Sequence, residues 1–409
     1  MAYEPSPEST PPRLSFELLI AGQVTSKLAH AVFLIVLTLY LKQLTDSARV
    51  LGAAQFLSYL PAVVLGPFAG ILVDRFERKR LLVGADAARG LAIVLVAAAA
   101  SSGSALPVWI LFALAATVSL CQAVFLPAVQ ALLPELVAPE RLRRGNAVRG
   151  AGVQLSNLGG NAAGGILFAW FGGPLVLLFT GVVFLVSAVQ ELLIRIPLRP
   201  PHARTPGIGP QMRAALRYLR VRPGVAAAVM THGVVGLSFP PLLLALPFVV
   251  LDDLGLPESY FGFYLATVLA GGILGYLRFG SARLRQPSGR KLLLAGFMLL
   301  ASGITVAGVR TSAIVLFPAF FAAGLGAGLV NLALVTAIQA ATPAARRGRV
   351  FGIYETVAAG ASAIGFALSG PLIDLLRANL SLLITAVGIC LLLYAAYLAR
   401  SSTVASLFE

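Results

Sequence analysis

Apolar runs of membrane-spanning length follow one another along the chain, joined mostly by short polar turns. A helix needs about 20 mostly apolar residues to cross the hydrocarbon core, and only helices or closed barrels satisfy their backbone there. The joint at 74–80 shows the pattern best. One apolar run ends at Asp74, four basic residues follow (Arg75, Arg78, Lys79 and Arg80), and a second apolar run departs. Such a charged hairpin is expected between two spanning helices, with its cations held at the cytoplasmic surface. With 58% apolar residues, 11% charged residues and a mean hydropathy of +0.89, the chain cannot make the charged surface of a soluble domain. It reads as an all-α membrane protein.

Twelve spans are predicted, near 16–43, 48–73, 81–101, 107–132, 146–170, 174–195, 224–250, 259–282, 290–309, 312–338, 349–375 and 379–399. An even count puts both ends on one side. If that side is cytoplasmic, 25 basic residues lie there, against four (Lys42, Arg49, Arg310 and Arg377) on the other. The net charge of +15 is therefore a topology signal and not a nucleic-acid patch. Residues 1–15, polar and proline-rich with Glu4 and Glu8, read as a cytoplasmic tail rather than a cleaved signal. Cys121 and Cys390 sit in apolar runs as small core residues, and no metal-ligand spacing is present.

The longest connection, 196–223, falls mid-chain between six-span halves at 16–195 and 224–399, with a short tail at 400–409. Its first part is proline-rich. Its second part predicts a surface helix, with Met212, Ala215, Leu216 and Leu219 on one face and Arg213, Arg217 and Arg220 on another. The halves echo each other. Pro139–Gly145 precedes the fifth span much as Pro343–Gly348 precedes the eleventh, about half the chain later.

The order Gly70-x-x-x-Asp74-Arg75-x-x-Arg78-Lys79 resembles the loop 2–3 signature of the major facilitator superfamily, with Glu77 where that family has glycine. LPAVQALLPELV at 126–137, RGNAV at 144–148 and LGGNAAGG at 158–165 resemble the branch containing enterobactin exporters and macrolide efflux proteins. The resemblance implies two pseudo-symmetric six-helix halves that rock about a central site. It also implies that Asp74 anchors a closed junction near the start of span 11, at Arg349; pairing with an arginine of its own loop is the plainer alternative. In the antiporter branch, span 5 reads Gly-Pro-x-x-Gly-Gly. Here Gly160, Asn161, Gly164 and Gly165 stand there, and close helix packing accounts for the glycines almost as well.

Polar groups inside spans are costly and are candidates for function. Gln23, Lys27 and His30 share one face of span 1, which lines the cavity in the resembling fold, and His30 stands where related exporters often carry an acid. Gln122, Asn157, His232, Asn331 and Tyr354 complete the candidate substrate contacts, although either histidine is equally accounted for as a buried imidazole bonded to the backbone. Asp86, Arg89 and Glu355 are candidates for proton coupling; Asp86 and Arg89, three apart, are also read as a structural pair. Glu191 and Glu17 are placed near the cytoplasmic surface within reach of water, and Asp252, Asp253 and Glu258 read as solvated outer charge.

No nucleotide-binding loop, HExxH motif or nucleophile–base spacing occurs, so neither an ATP-driven pump nor an enzyme is expected, and no cofactor is called for. The reading is a bacterial inner-membrane secondary transporter, monomeric, with both termini cytoplasmic. It exports a small amphipathic compound (drug, siderophore or metabolite) in exchange for protons. Lys27 and His30 favour an anionic group on that compound. A lysophospholipid or lipid-like carrier without proton coupling is the nearest alternative, and a non-transporting membrane scaffold or sensor the remotest.

Overall fold

The computed structural model describes residues 13–102, 106–137, 142–195, 208–279 and 288–408, with the backbone alone at 66–75 and a few other helical positions. In the described residues the chain is helical almost throughout. The helices are α1 (Arg13–Thr45), α2 (Ala48–Arg75), α3 (Arg78–Ser101), α4 (Val108–Leu136) and α5 (Leu142–Leu192). After the linker come α6 (Ile208–Val221), α7 (Pro223–Phe248), α8 (Ser259–Phe279), α9 (Gly289–Val309), α10 (Ala313–Ala341), α11 (Ala344–Leu375), α12 (Leu380–Arg400) and a short α13 (Ser402–Ala405).

Eleven of these helices hold a stretch long and apolar enough to cross a membrane, against twelve expected spans. The difference lies in α5. Gly172 takes φ 72° and ψ 170°, a backbone conformation that glycine alone adopts freely, and it breaks α5 into two arms. The arms lie side by side. Ser156, before the break, donates to Val24 O (3.0 Å), and Ser187, after it, donates to Gly22 O (2.8 Å), so both meet the same stretch of α1. Residues 142–171 and 174–192 are therefore a hairpin whose turn is too tight to count as a loop.

Helices α1 to α5 pack together, as do α7 to α12, and the two groups meet along α2 against α11 and α5 against α8. Both seams depend on missing side chains. A Cβ on Gly52 of α2 would lie 2.6 Å from Phe366 O, and one on Gly165 of α5 would lie 3.0 Å from Gly262 N of α8. Close backbone approach of this kind replaces the hydrophobic effect as the source of helix association inside a bilayer.

Helix α6 falls where the linker helix is expected. Arg213, Arg217 and Arg220 are exposed, and so is Leu216, while Met212 and Ala215 lie outside the described side chains. The helix is tied to the second half by Tyr218, which is buried and donates to Ala341 O (2.8 Å) beneath the Arg346 guanidinium (5.4 Å). At the chain's end, Leu407 packs on Gly224 and Phe408 on Gly289, so this segment docks under α7 and α9.

Candidate functional site

The halves are fastened at the end of the bundle remote from α6 and α13. Lys42, near the end of α1, reaches Asp46 (2.9 Å) and, across the seam, Asp252 (2.7 Å). Arg377, between α11 and α12, closes the ring through Asp46 (2.5 Å) and Asp252 (3.0 Å), and both cations lie over the Phe248 ring. The backbone shapes this cluster. Asp46 sits at φ 46°, a left-handed turn that short polar residues tolerate, and its carbonyl accepts from Arg377 (2.6 Å). A π-helical turn at Val249–Asp253 prolongs α7 and carries Asp252. Burial pushes the Asp46 carboxyl up, but hydrogen bonds from Lys42 and Arg377 outweigh it and leave the group below its ordinary value.

One turn away, Asp374 of α11 caps α2 of the other half. Its carboxylate accepts from the backbone N–H groups of Ala48 (2.8 Å) and Arg49 (3.2 Å), and from Ser47 Oγ (3.2 Å). An acid on a helix N-terminus satisfies orphan donors and the positive dipole together. Asp252, expected as solvated outer charge, keeps 37% of its side chain exposed and also bridges the halves.

Beneath this closure lies a cavity of about 300 Å³ between the halves, contributed by α1, α2, α5, α7, α8 and α10. Its walls are mostly leucine, valine and phenylalanine, with Thr38, Gln55, Tyr59 and Asn161 as polar members. Gln55 donates to Thr38 (3.0 Å). Asn161 stands where the resembling branch has proline, and it lines this cavity. Gly160 and Gly164 seat α5 on Leu28, Ala31 and Ile35 of α1, while Gly165 seats it on α8. The cavity wall on α1 lies one to two turns beyond His30 and two to three beyond Lys27, at Leu34, Ile35 and Thr38.

The remaining polar candidates form two separate groups. In the first half, the Asp86 carboxylate and the Arg89 guanidinium pair directly, both fully buried. Asp86 also accepts from Ser26 (3.1 Å) and Ser187 (2.6 Å), and Arg89 donates to Gln122 (2.9 Å) between the rings of Phe125 and Phe184. Gln23 is buried, and Lys27 and His30 are half-buried. Asn157 sits apart, 3.5 Å from Gln154. In the second half, His232 of α7 stacks flat on Tyr354 of α11, centroids 3.8 Å apart. Tyr354 donates to Asn331 of α10 (2.8 Å), which bonds in turn to Tyr276 of α8.

Of the hairpin signature, the side chains of residues 66–75, Asp74 among them, lie outside those described. Glu77 stands in an ordinary extended conformation (φ −62°, ψ 117°) that does not require glycine, and it pairs with Arg80 (2.7 Å). Arg78 donates to Ala131 O (3.4 Å), Lys79 is half-buried, and Arg349 is exposed. Along this part of α11, Gly352 and Glu355 are exposed too, and a Cβ on Gly348 or Gly352 would have no neighbour within 4 Å. Glu191 departs from expectation: it is fully buried, with neither carboxyl oxygen bonded among the described residues.

The family model described as Major Facilitator Superfamily matches residues 19–366. The chain belongs to that superfamily. It is a multi-pass membrane transporter of small molecules and not an enzyme. Among relatives, the transporter is 24% identical over 376 residues to macrolide efflux protein A of Streptococcus pyogenes, covering 90% of this chain and 91% of that one. It is 27% identical over 340 residues to the multidrug efflux pump Tap of Mycobacterium tuberculosis, covering 80% and 78%. In fold it is similar to the nucleoside transporter NupG, with a TM-score of 0.76 at 13% identity over 97% of this chain and 100% of that one. A bacterial homologue of the human lysosomal transporter Spinster, inward-facing and unoccupied, gives 0.73 at 16% identity over 99% and 95%.

Proposed function

We propose that this transporter exports a small amphipathic compound across a bacterial inner membrane by alternating access, in exchange for protons, and acts as a monomer. The observation that carries this is the mostly apolar cavity between the halves, sealed at one end by the Lys42–Asp46–Asp252–Arg377 cluster. Relatives named for macrolide and multidrug efflux support the direction. The excess of basic residues on the side of the termini supports a cytoplasmic placement of that side, and with that placement the conformation described is inward-facing. In the opposite state the far-end cluster parts, and Asp74 closes the cytoplasmic end against the start of α11 near Arg349. Four polar residues in a mostly apolar wall suit a ligand with a large apolar body and a few hydrogen-bonding groups.

The test uses everted membrane vesicles with an acid-inside pH gradient and a panel of amphipathic cations, anions, macrolides, siderophores and lysolipids. Collapse of the gradient with one class, lost in Asp74→Asn, is the expected result. The apolar walls also favour a second reading, a lysophospholipid carrier that needs no proton. Transport of lysolipid at equal rates with and without the gradient would replace the first reading by the second.

A further inference from the structure

Glu191 occupies the last turn of α5, one turn beyond Ser187, and none of its surface is exposed. It lies against α1 where that helix has no side chain to offer: a Cβ on Gly22 would stand 3.1 Å from Glu191 Cγ. Among the described residues it is the one carboxyl with both oxygens buried and no protein donor within reach. Asp86, in the same cluster, is the contrast, since it accepts from Ser26, Ser187 and Arg89.

The charges around Glu191 do not answer it. Asp86 and Arg89 face it from α3, and three of the five N–H groups of Arg89 donate to Ala85 O, Gln122 and Asp86, while neither Glu191 oxygen receives a bond from it. On α1 the flanking charges are Glu17 and Lys27, more than a turn to either side of Gly22, and just past the end of its own helix lies Arg195, exposed. An ionised Glu191 would set a second negative charge beside Asp86, out of water and without donors, which protein interiors do not sustain.

We propose that Glu191 is held as the neutral acid in this conformation and is the group that takes up and releases the coupled proton. The inference rests on the proton-exchange reading above and names the residue that performs it. On release the carboxyl O–H bond breaks, the proton passes to water, and the carboxylate left behind requires donors. It obtains them only if α1 and the second arm of α5 part at Gly22 and Ser187 to admit water. Proton release therefore favours a different arrangement of these helices, and that difference lets a proton shift the balance of states. Asp86, already bonded to three donors, is the positioning partner that holds the Arg89 guanidinium to itself rather than to Glu191.

Two measurements on the reconstituted full chain test this. Infrared difference spectra in water and deuterium oxide should show the carbonyl stretch of a buried neutral carboxylic acid, absent in Glu191→Gln and kept in Glu355→Gln. With erythromycin and ethidium as probes, Glu191→Gln should slow gradient-driven transport at least tenfold while probe exchange at equal pH persists, and Glu191→Asp should restore part of the loss. Gradient-driven transport at the normal rate in Glu191→Gln, or survival of the acid band there, overturns the assignment and leaves proton exchange standing. If the unaltered protein exchanges the probes but never responds to the gradient, the proton-exchange reading falls, and the role of Glu191 with it.

Discussion

In the first half of the transporter the buried polar atoms at the centre are charged, Asp86 against Arg89, and they are held by serines and two phenylalanine rings. In the second half the hydrogen-bonded groups that join α8, α10 and α11 are neutral: Tyr354, Asn331 and Tyr276 joined hydroxyl to amide to hydroxyl, with His232 of α7 flat on the Tyr354 ring. The scaffolds are alike, yet one half buries an ion pair and the other a chain of dipoles. An ion pair out of water is intolerant of losing either member, whereas a neutral chain loses one bond at a time. The first half is thus built around a feature that cannot be partly made.

Arg89→Ala should break this contrast most severely. It strands Asp86 without a cation, and removing one member of a buried pair costs about 3–5 kcal/mol. Thermal unfolding in detergent should show a loss of that size, and Asp86→Leu combined with Arg89→Met should recover most of it. A double variant as unstable as the single one would show that the pair is not what the half depends on.

Tyr354→Phe should cost less, about 1–3 kcal/mol, because it leaves one Asn331 oxygen without a donor and spares the His232 stack. A loss equal to that of Arg89→Ala in the same melt would erase the distinction between the halves. The far-end cluster asks whether charge or burial sets the scale. Its acids are well exposed (Asp46 59%, Asp252 37%), so Arg377→Gln should shift the closed-to-open ratio only two- to fivefold, roughly 0.5–1 kcal/mol. Distances between spin labels on the far ends of α1 and α8 would measure it.

The smallest effect expected is that of pH on the same cluster. The Asp46 carboxyl lies below its ordinary value of 3.8 when the end is closed, so its contribution is complete above that value and is lost as pH falls through the lowered one. The label distances should therefore hold constant through the neutral range and lengthen only in acid. Lengthening near neutrality would show that another group governs closure.

Much of this architecture was legible in the chain. Apolar run length placed the spans, basic residues marked their joints, and local spacing found the Asp86–Arg89 pair three residues apart. The far-end cluster was not legible, because Lys42 and Asp252 are 210 residues apart and Asp46 and Arg377 are 331 apart. Spacing along a helix says nothing about partners on another one. The sparse outer charge did hold a signal: three of the four cations there, Lys42, Arg49 and Arg377, meet acids across the seam. Glu191 misled for a related reason. Its place near a helix end implied water, but burial there is decided by α1, which passes it at Gly22. Asn161 could be placed at a helix contact from its glycine neighbours, but not in the wall of a cavity assembled from six helices.

The hairpin at Gly172 bears on how such a chain enters a bilayer. With no loop between its arms, the first arm cannot come to rest across the membrane before the second arrives. The first is also the poorer candidate for insertion, carrying Ser156, Asn157 and Asn161 among seven glycines, while 174–192 is rich in leucine, valine and phenylalanine. The polar arm, which seats α8 and lines the cavity, is thus carried into the lipid by its greasy twin. A charge placed on the lipid side of the second arm would put both crossings at risk.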